Sequence, residues 1–174
     1  MLDKTLNIRG TLTSLATPLV MGILNITPDS FYAGSRKQTE TAIEDRIREI
    51  LSEGGDWIDI GGYSSRPDAA EVTPEEEMRR LEFALHILNK HYPDIPVSVD
   101  TFRAGIARRC VEEYGAAIIN DISGGELDAD MFQTVADLKV PYIMMHMRGT
   151  PQTMQRHTCL LYTSPSPRDA HESR

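Results

Sequence analysis

Five apolar stretches of this 174-residue chain lead into residues whose side chains or backbone could bind a ligand. The stretches begin at Val20, Trp57, Val97, Ile118 and Tyr142, and they lead into Asn25, Gly61-Gly62, Asp100, Asn120 and His146. Carboxylates accept hydrogen bonds, amides donate and accept them, and Mg²⁺ binds oxygen ligands. The pattern therefore predicts one polar site that is built from the ends of several strands.

Helical patterns separate these stretches. Between the first and third stretches, apolar residues recur three and four positions apart, which predicts two amphipathic helices. The residues concerned are Ile43, Ile47, Ile50 and Leu51 in the first helix and Met78, Leu81, Leu85 and Leu88 in the second. Thr73, Pro74 and Glu76 predict the start of the second helix, because they combine an N-cap, a first-turn proline and a capping box. Shorter helices are predicted at about 103–114 and 128–138.

Strands that alternate with helices indicate an α/β fold with a parallel sheet buried on both faces. An open doubly wound sheet and a barrel both satisfy this alternation. Polar residues at many strand ends favour the barrel, because an open sheet concentrates its ligands at one switch point. We therefore predict a (β/α)8 TIM barrel, preceded by a short hairpin within residues 6–17.

The chain is shorter than the roughly 250 residues that such a barrel typically needs. We therefore expect residues 1–158 to form the N-terminal part of a barrel truncated after about the fifth strand. Residues 159–174 lose all periodicity and contain a Ser-Pro repeat, which indicates a disordered or artefactual tail. Open sheet edges and an incomplete core would leave such a chain poorly folded and inactive.

Composition excludes several classes of protein. A formal net charge of -8 argues against nucleic-acid or anionic-membrane binding. Cys110 and Cys159 have neither a metal-ligand nor a disulfide spacing, which favours a reducing compartment. No apolar window has the length of a membrane-spanning helix, and the N-terminus does not read as a signal peptide. We therefore predict a cytoplasmic protein with small-molecule partners.

Two loop motifs carry a family resemblance. They read Asn-Ile-Thr-Pro-Asp-Ser-Phe over 25–31 and Gly-Gly-Tyr-Ser-Ser-Arg-Pro over 61–67. With Asp100 and Asn120 following in order, the chain up to about Thr158 resembles the dihydropteroate synthase family of pterin-binding barrels. The resemblance implies a transferase of folate biosynthesis. Its reaction joins 4-aminobenzoate to (7,8-dihydropterin-6-yl)methyl diphosphate and yields dihydropteroate and diphosphate.

The pterin ring is expected to contact four residues. The ring presents adjacent N–H donors, which a carboxylate with two acceptor oxygens such as Asp100 can pair with, and the matching Asp of the family binds the pterin. Asn120 adds an amide that both donates and accepts, while Ile122 and Met145 could sandwich the flat face of the ring. A structural pair of Asp and Asn that links neighbouring strands is the alternative interpretation.

The other substrate groups are assigned by resemblance. Asn25 matches the family residue that contacts a metal beside the diphosphate, which implies Mg²⁺ as the cofactor; a simple turn cap is the alternative. Phe31 resembles the aromatic residue that covers the aminobenzoate ring. Ser65, Arg66 and Pro67 match a loop near the diphosphate and aminobenzoate.

Several neighbouring residues receive no direct role. Asp59 and Asp121 are expected to be supports or helix caps, His146 is as consistent with a backbone-bonded histidine as with a catalytic one, and Arg148 is interpreted as peripheral. Tyr63 stands where the family often has Glu. No residue is assigned as a general acid or base. A folate-binding methyltransferase barrel and a non-catalytic fragment are the alternative functions, and family resemblance implies a homodimer.

Overall fold

The computed structural model describes residues 4–26, 36–63, 72–147, 149 and 153. Its first sheet is an antiparallel hairpin of β1 (Thr5–Ile8) and β2 (Thr11–Ser14). Arg9 and Gly10 form the turn with positive φ angles of 50° and 82°. A hairpin is therefore present as predicted, although it begins at Thr5, one residue before the predicted range of 6–17.

The second sheet is parallel and places its five strands in chain order. Its strands are β3 (Met21–Asn25), β4 (Trp57–Gly61), β5 (Val97–Asp100), β6 (Ile118–Asp121) and β7 (Tyr142–Met144). The helices between them are α1 (Arg36–Ser52), α2 (Pro74–His91), α3 (Ala104–Tyr114) and α4 (Met131–Leu138). A helix connects each strand to its direct neighbour, as in a barrel, whereas a doubly wound sheet reverses its strand order. The predicted α/β barrel class is confirmed over these strands.

The strand register separates the two faces of this sheet. Leu24, Ile60, Val99 and Ile119 are aligned across four strands, and each is at most 1% exposed beneath the helices. Asn25, Gly61, Asp100 and Asn120 are aligned one residue further along, so their side chains lie on the opposite face, because successive strand residues alternate. We call this opposite face the inner face.

Helix α2 begins as the sequence predicts. The Thr73 side chain caps it by accepting a hydrogen bond from the Glu76 backbone N–H at 3.3 Å. The reciprocal half of the predicted capping box is replaced, since the Glu76 carboxylate accepts from Arg79 and Arg80 instead. The apolar stripe of α2 packs into the core, with Leu81, Leu85 and Leu88 fully buried.

Helix α4 begins three residues later than predicted, at Met131. Asp128 explains the difference, because one of its carboxylate oxygens accepts from the Ala104 backbone N–H at 2.7 Å and the other from the Asp130 N–H at 3.0 Å. Asp128 therefore caps the start of α3 from the turn that precedes α4, and α4 begins only after this turn.

The hairpin closes one end of the inner face. Ile8 packs with Ala117 and Ile118, and Leu6 and Trp57 lie against them. On its two edge strands, β3 and β7, the inner face is open, with Ile23 58% and Ile143 38% exposed. None of the described helices is long and apolar enough to cross a membrane.

Candidate functional site

The polar residues predicted at the strand ends form one row on the inner face. Asn25 is aligned with Gly61, Gly61 with Asp100, and Asp100 with Asn120. A Cβ built on Gly61 would lie 3.2 Å from Asn25 Oδ1 and 3.6 Å from Asp100 Oδ2. The missing side chain of Gly61 therefore leaves a gap between an amide and a carboxylate, where a ligand can approach the backbone.

Asp59 lies two residues before Gly61 on β4, and therefore on the same inner face as this row. Asn120 Nδ2 donates a hydrogen bond to Asp59 Oδ2 at 3.0 Å, and Asp59 is 4% exposed. Within the described part of the chain, the second oxygen of Asp59 and the hydroxyl of the aligned Ser98 are buried without a hydrogen-bond partner. Asp59 therefore supports Asn120, which agrees with the supporting role expected for it.

Carboxylates crowd this part of the sheet. Burial raises the pKa of Asp100 to about 7, and the carboxylates of Asp59, Glu77 and Asp121 add to the effect. Burial also raises the pKa of Asp59, while the neighbouring Ser98 hydroxyl and Asn120 amide oppose that rise. Ionisation of Asp100 is therefore unfavourable in the unliganded site. A ligand that donates hydrogen bonds or carries positive charge would stabilise the ionised carboxylate.

Asp121 has a structural role in the loop that follows β6. Its Oδ1 accepts from the Ser123 backbone N–H and hydroxyl, at 2.7 and 2.8 Å, and its Oδ2 accepts from the Gly125 N–H at 2.9 Å. The Tyr142 hydroxyl donates to the same Oδ2 at 2.6 Å. Asp121 thus supports the loop, and the helix-cap alternative is wrong because its bonds are made to the loop and to β7.

The remaining predicted site residues lie beside the row or outside the described residues. Ile122 is partly buried directly after β6, and Met145 is 37% exposed directly after β7, so both lie at the same edge of the sheet as Asp100. Their contact with a ring stays a prediction. His146 is exposed beyond β7. The predicted residues Phe31, Ser65, Arg66 and Pro67, together with Arg148, lie outside the described residues.

A buried ion pair beside the site was not predicted. The carboxylate of Glu77, which is 0% exposed, pairs with Arg103 and accepts from the Thr101 hydroxyl at 2.7 Å. Arg103 also donates to the Val72 carbonyl at 2.8 Å, and its guanidinium lies 5.4 Å from the centre of the Tyr63 ring. Arg103 therefore contacts the described residues on both sides of the segment 64–71, to which Ser65 belongs. The sequence offered one signal for this pair: Glu77 stands next to Met78, the first apolar residue of the stripe predicted to be buried.

Asn25 fits the expected Mg²⁺ ligand in its chemistry. Its amide oxygen borders the gap left by Gly61, and the residue is exposed at the end of β3. Mg²⁺ commonly takes one or two protein oxygens and completes its shell with water and substrate phosphates. A single amide oxygen beside an open gap is compatible with this kind of site.

Two further features lie outside the row. Ligand atoms of Glu40, Glu44 and His91 lie within 4.8 Å of one another on the surface of α1 and α2, where His91 Nε2 lies 3.4 Å from Glu44 Oε1. A cavity of about 480 Å³ lies between the hairpin and the ends of α3 and α4, near Arg9 and Lys139. The polar strand ends do not line this cavity, so we assign the candidate site to the row.

Comparison with known proteins gives consistent matches. A family model described as pterin binding enzyme matches residues 21–167. The folate synthesis bifunctional protein, mitochondrial, of Pisum sativum is 48% identical over 147 residues, which cover 83% of this chain and 28% of that protein. The dihydropteroate synthase of Synechocystis is 42% identical over 139 residues, which cover 80% of this chain and 47% of the relative.

Solved structures agree with these matches. Dihydropteroate synthase of Xanthomonas albilineans with 4-aminobenzoic acid superposes with a TM-score of 0.69 at 38% identity, covering 84% of this chain and 53% of that one. The same enzyme in complex with 7,8-dihydropteroate gives a TM-score of 0.68 at 36% identity, with coverages of 83% and 52%. The chain therefore spans about half the length, or less, of the relatives that it matches.

Proposed function

The chain belongs to the family of pterin binding enzymes, and from this premise we propose that it acts in dihydropteroate synthesis. In the proposed reaction, the amine nitrogen of 4-aminobenzoate forms a bond to the exocyclic methylene of the dihydropterin. The bond from that carbon to the diphosphate oxygen breaks, diphosphate leaves with the electron pair, and the amine releases a proton to solvent. The reaction class is alkyl transfer, and no residue of the chain is assigned as a base.

The alignment of Asn25, Gly61, Asp100 and Asn120 is the observation that carries the proposal. Asp100 accepts hydrogen bonds from adjacent N–H donors of the pterin, and Asn120 contacts the same heterocycle from the next strand. The pKa of Asp100, raised to about 7 in the unliganded site, supports this role. A donor-rich or cationic ring would stabilise its charged form and would itself be stabilised by it.

The remaining proposed contacts lie around this row. Ile122 and Met145 pack on the faces of the pterin ring. Asn25 would hold Mg²⁺ near the diphosphate, and the ion would supply positive charge to this leaving group. By resemblance, Phe31 covers the aminobenzoate ring, and Ser65, Arg66 and Pro67 contact the diphosphate and aminobenzoate.

Binding measurements on the chain test this proposal. We expect a pterin without a diphosphate to bind the wild type, and Asp100→Asn to weaken it about tenfold or more, since the amide turns one acceptor into a donor that faces the ring's donors. Asp94→Asn, an exposed acid just before β5, is the matched control and should leave the affinity unchanged. Equal affinities for wild type and Asp100→Asn in calorimetry would contradict the assignment.

A second titration separates the metal site from the pterin pocket. Asn25→Ala should weaken binding of the pterin diphosphate in the presence of Mg²⁺ and should leave binding of the diphosphate-free pterin nearly unchanged. Equal losses for both ligands would place Asn25 in the pterin pocket or in the fold. Formation of dihydropteroate from both substrates then distinguishes an active enzyme from a non-catalytic pterin-binding chain.

The relatives favour synthesis over the methyltransferase alternative, because their names refer to folate synthesis or to dihydropteroate synthase. Location and assembly stay predictions. The name of the Pisum sativum relative places that protein in mitochondria, so the cytoplasmic location expected from the sequence has no support from it. The homodimer expected by resemblance likewise stays a prediction.

A further inference from the structure

The orientation of the Asn120 amide is set by a neighbour that the ligand does not need to touch. An Asn side chain has an acceptor oxygen and a donor NH₂ of similar shape, so it can offer either group to a ligand unless a neighbour fixes it. In this structure the NH₂ group of Asn120 donates to Asp59 Oδ2 at 3.0 Å. Asp59 Oδ2 is the acceptor in this bond, and an acceptor oxygen selects the NH₂ group. The Asn120 oxygen is then free for other contacts.

Asp59 is well placed to hold this orientation. It lies in the middle of β4, between β3 and β5, and it is 4% exposed, so its carboxylate has little contact with solvent. The bond from Asn120 is its one hydrogen bond with standard geometry among the described side chains. Loss of Asp59 would therefore leave the Asn120 amide free to turn.

The orientation affects what the site recognises. With Asn120 held in this way, its oxygen joins the Asp100 carboxylate as a second acceptor on aligned residues of neighbouring strands. Two adjacent acceptors select a ligand edge that presents N–H donors, and they leave an acceptor-bearing edge unpaired. If Asn120 turned, its NH₂ group would face the donors of the same ligand.

We propose that Asp59 is a positioning residue, which fixes the Asn120 amide with its oxygen towards the ligand and thereby makes the pocket specific for a donor-bearing edge. The inference rests on the proposed function, since it concerns how one side of the pterin pocket is oriented. Asp59 acts only through Asn120, and this distinguishes it from a residue that merely stabilises β4.

A double-mutant cycle in pterin binding tests this role. Asp59→Ala should weaken binding of a diphosphate-free pterin about tenfold in the wild-type background, because Asn120 loses its fixed orientation. In an Asn120→Ala background, the same substitution should change the dissociation constant less than about twofold, because the residue through which it acts is absent. Cys110→Ala, a small change at a buried core residue of α3 outside the row, is the control and should not alter the affinity.

Asp59→Asn provides a second variant that keeps the volume of the side chain. Its amide can accept from Asn120 or donate to it, so we expect a loss of affinity smaller than that of Asp59→Ala, again absent in the Asn120→Ala background. Urea unfolding of each variant establishes that it is folded before titration.

Equal losses in both backgrounds, or no loss in the wild-type background, would overturn the positioning role. A wild-type chain that binds no pterin at all would instead refute the proposed function, and this result would be apparent before any variant is made.

Discussion

Replacing Asp100 by Asn should make the chain more stable at neutral and alkaline pH while it weakens the binding of a pterin. The substitution removes a charge and keeps the side-chain volume. In the folded chain, burial and the nearby carboxylates of Asp59, Glu77 and Asp121 raise the pKa of Asp100 from 3.8 to about 7. Because the unfolded chain is free of this environment, it releases the same proton near pH 4.

The size and sign of the effect follow from this pKa difference. Between pH 4 and pH 7, the folded chain retains a proton that the unfolded chain has lost, so stability falls as the pH rises through this window. A pKa difference of about 3 corresponds to about 4 kcal/mol, which is an upper bound because the neighbouring carboxylates titrate together. We therefore expect Asp100→Asn to exceed the wild type in unfolding free energy by about 1 to 4 kcal/mol at pH 8.

Urea denaturation followed by circular dichroism at pH 4, 6 and 8 measures this difference. The gain from Asp100→Asn should be small at pH 4, where Asp100 is neutral in the folded chain and only about half ionised in the unfolded chain, and should grow as the pH rises. Asp94→Asn, the exposed control, should show no such dependence. A variant that is no more stable than the wild type at pH 8, or equally stabilised at pH 4, would refute the electrostatic reasoning.

Three further substitutions test other parts of the structure. Gly61→Ala should fill the gap in the polar row and weaken pterin binding about tenfold, or about 1.4 kcal/mol by calorimetry, whereas Gly105→Ala, with no atom within 4 Å of its added Cβ, should not. Glu77→Ala should lower the unfolding free energy by about 1 to 3 kcal/mol in urea, because it leaves the partly buried Arg103 and the buried Thr101 hydroxyl without their hydrogen-bond partner; an unchanged unfolding free energy would contradict this. Tyr142→Phe removes the hydroxyl bond to Asp121 and should cost about 1 kcal/mol in thermal unfolding, and an unchanged melting temperature would contradict that bond.

The strands and most helices follow from local sequence patterns. Leu81, Leu85 and Leu88 recur at helical spacing, and all three are buried in the structure as the spacing predicts. The start of α4 could not be predicted in the same way, because Asp128 bonds to the Ala104 N–H, 24 positions before it. A local pattern contains no information about such a partner.

In the candidate site too, local patterns predicted some features, and contacts between distant residues determine the others. Asn25, Asp100 and Asn120 could be predicted to lie together, because parallel strands bring their C-terminal ends to one edge of a sheet. The bond between Asn120 and Asp59 spans 61 positions, and the ion pair between Glu77 and Arg103 spans 26. Both depend on how helices and strands pack, and therefore on three-dimensional contacts that residue types alone do not specify.

Amide NMR spectra of the chain during titration with a diphosphate-free pterin test the central claim most directly. We predict that the signals of Gly61, Asp100 and the Asn120 side-chain NH₂ group shift together and saturate at one ligand concentration. Signals near Arg9 and Lys139, which line the cavity at the opposite end of the sheet, should not move. Shifts confined to that cavity, or no saturable shifts at the strand ends, would contradict the assignment of the pterin pocket to this row.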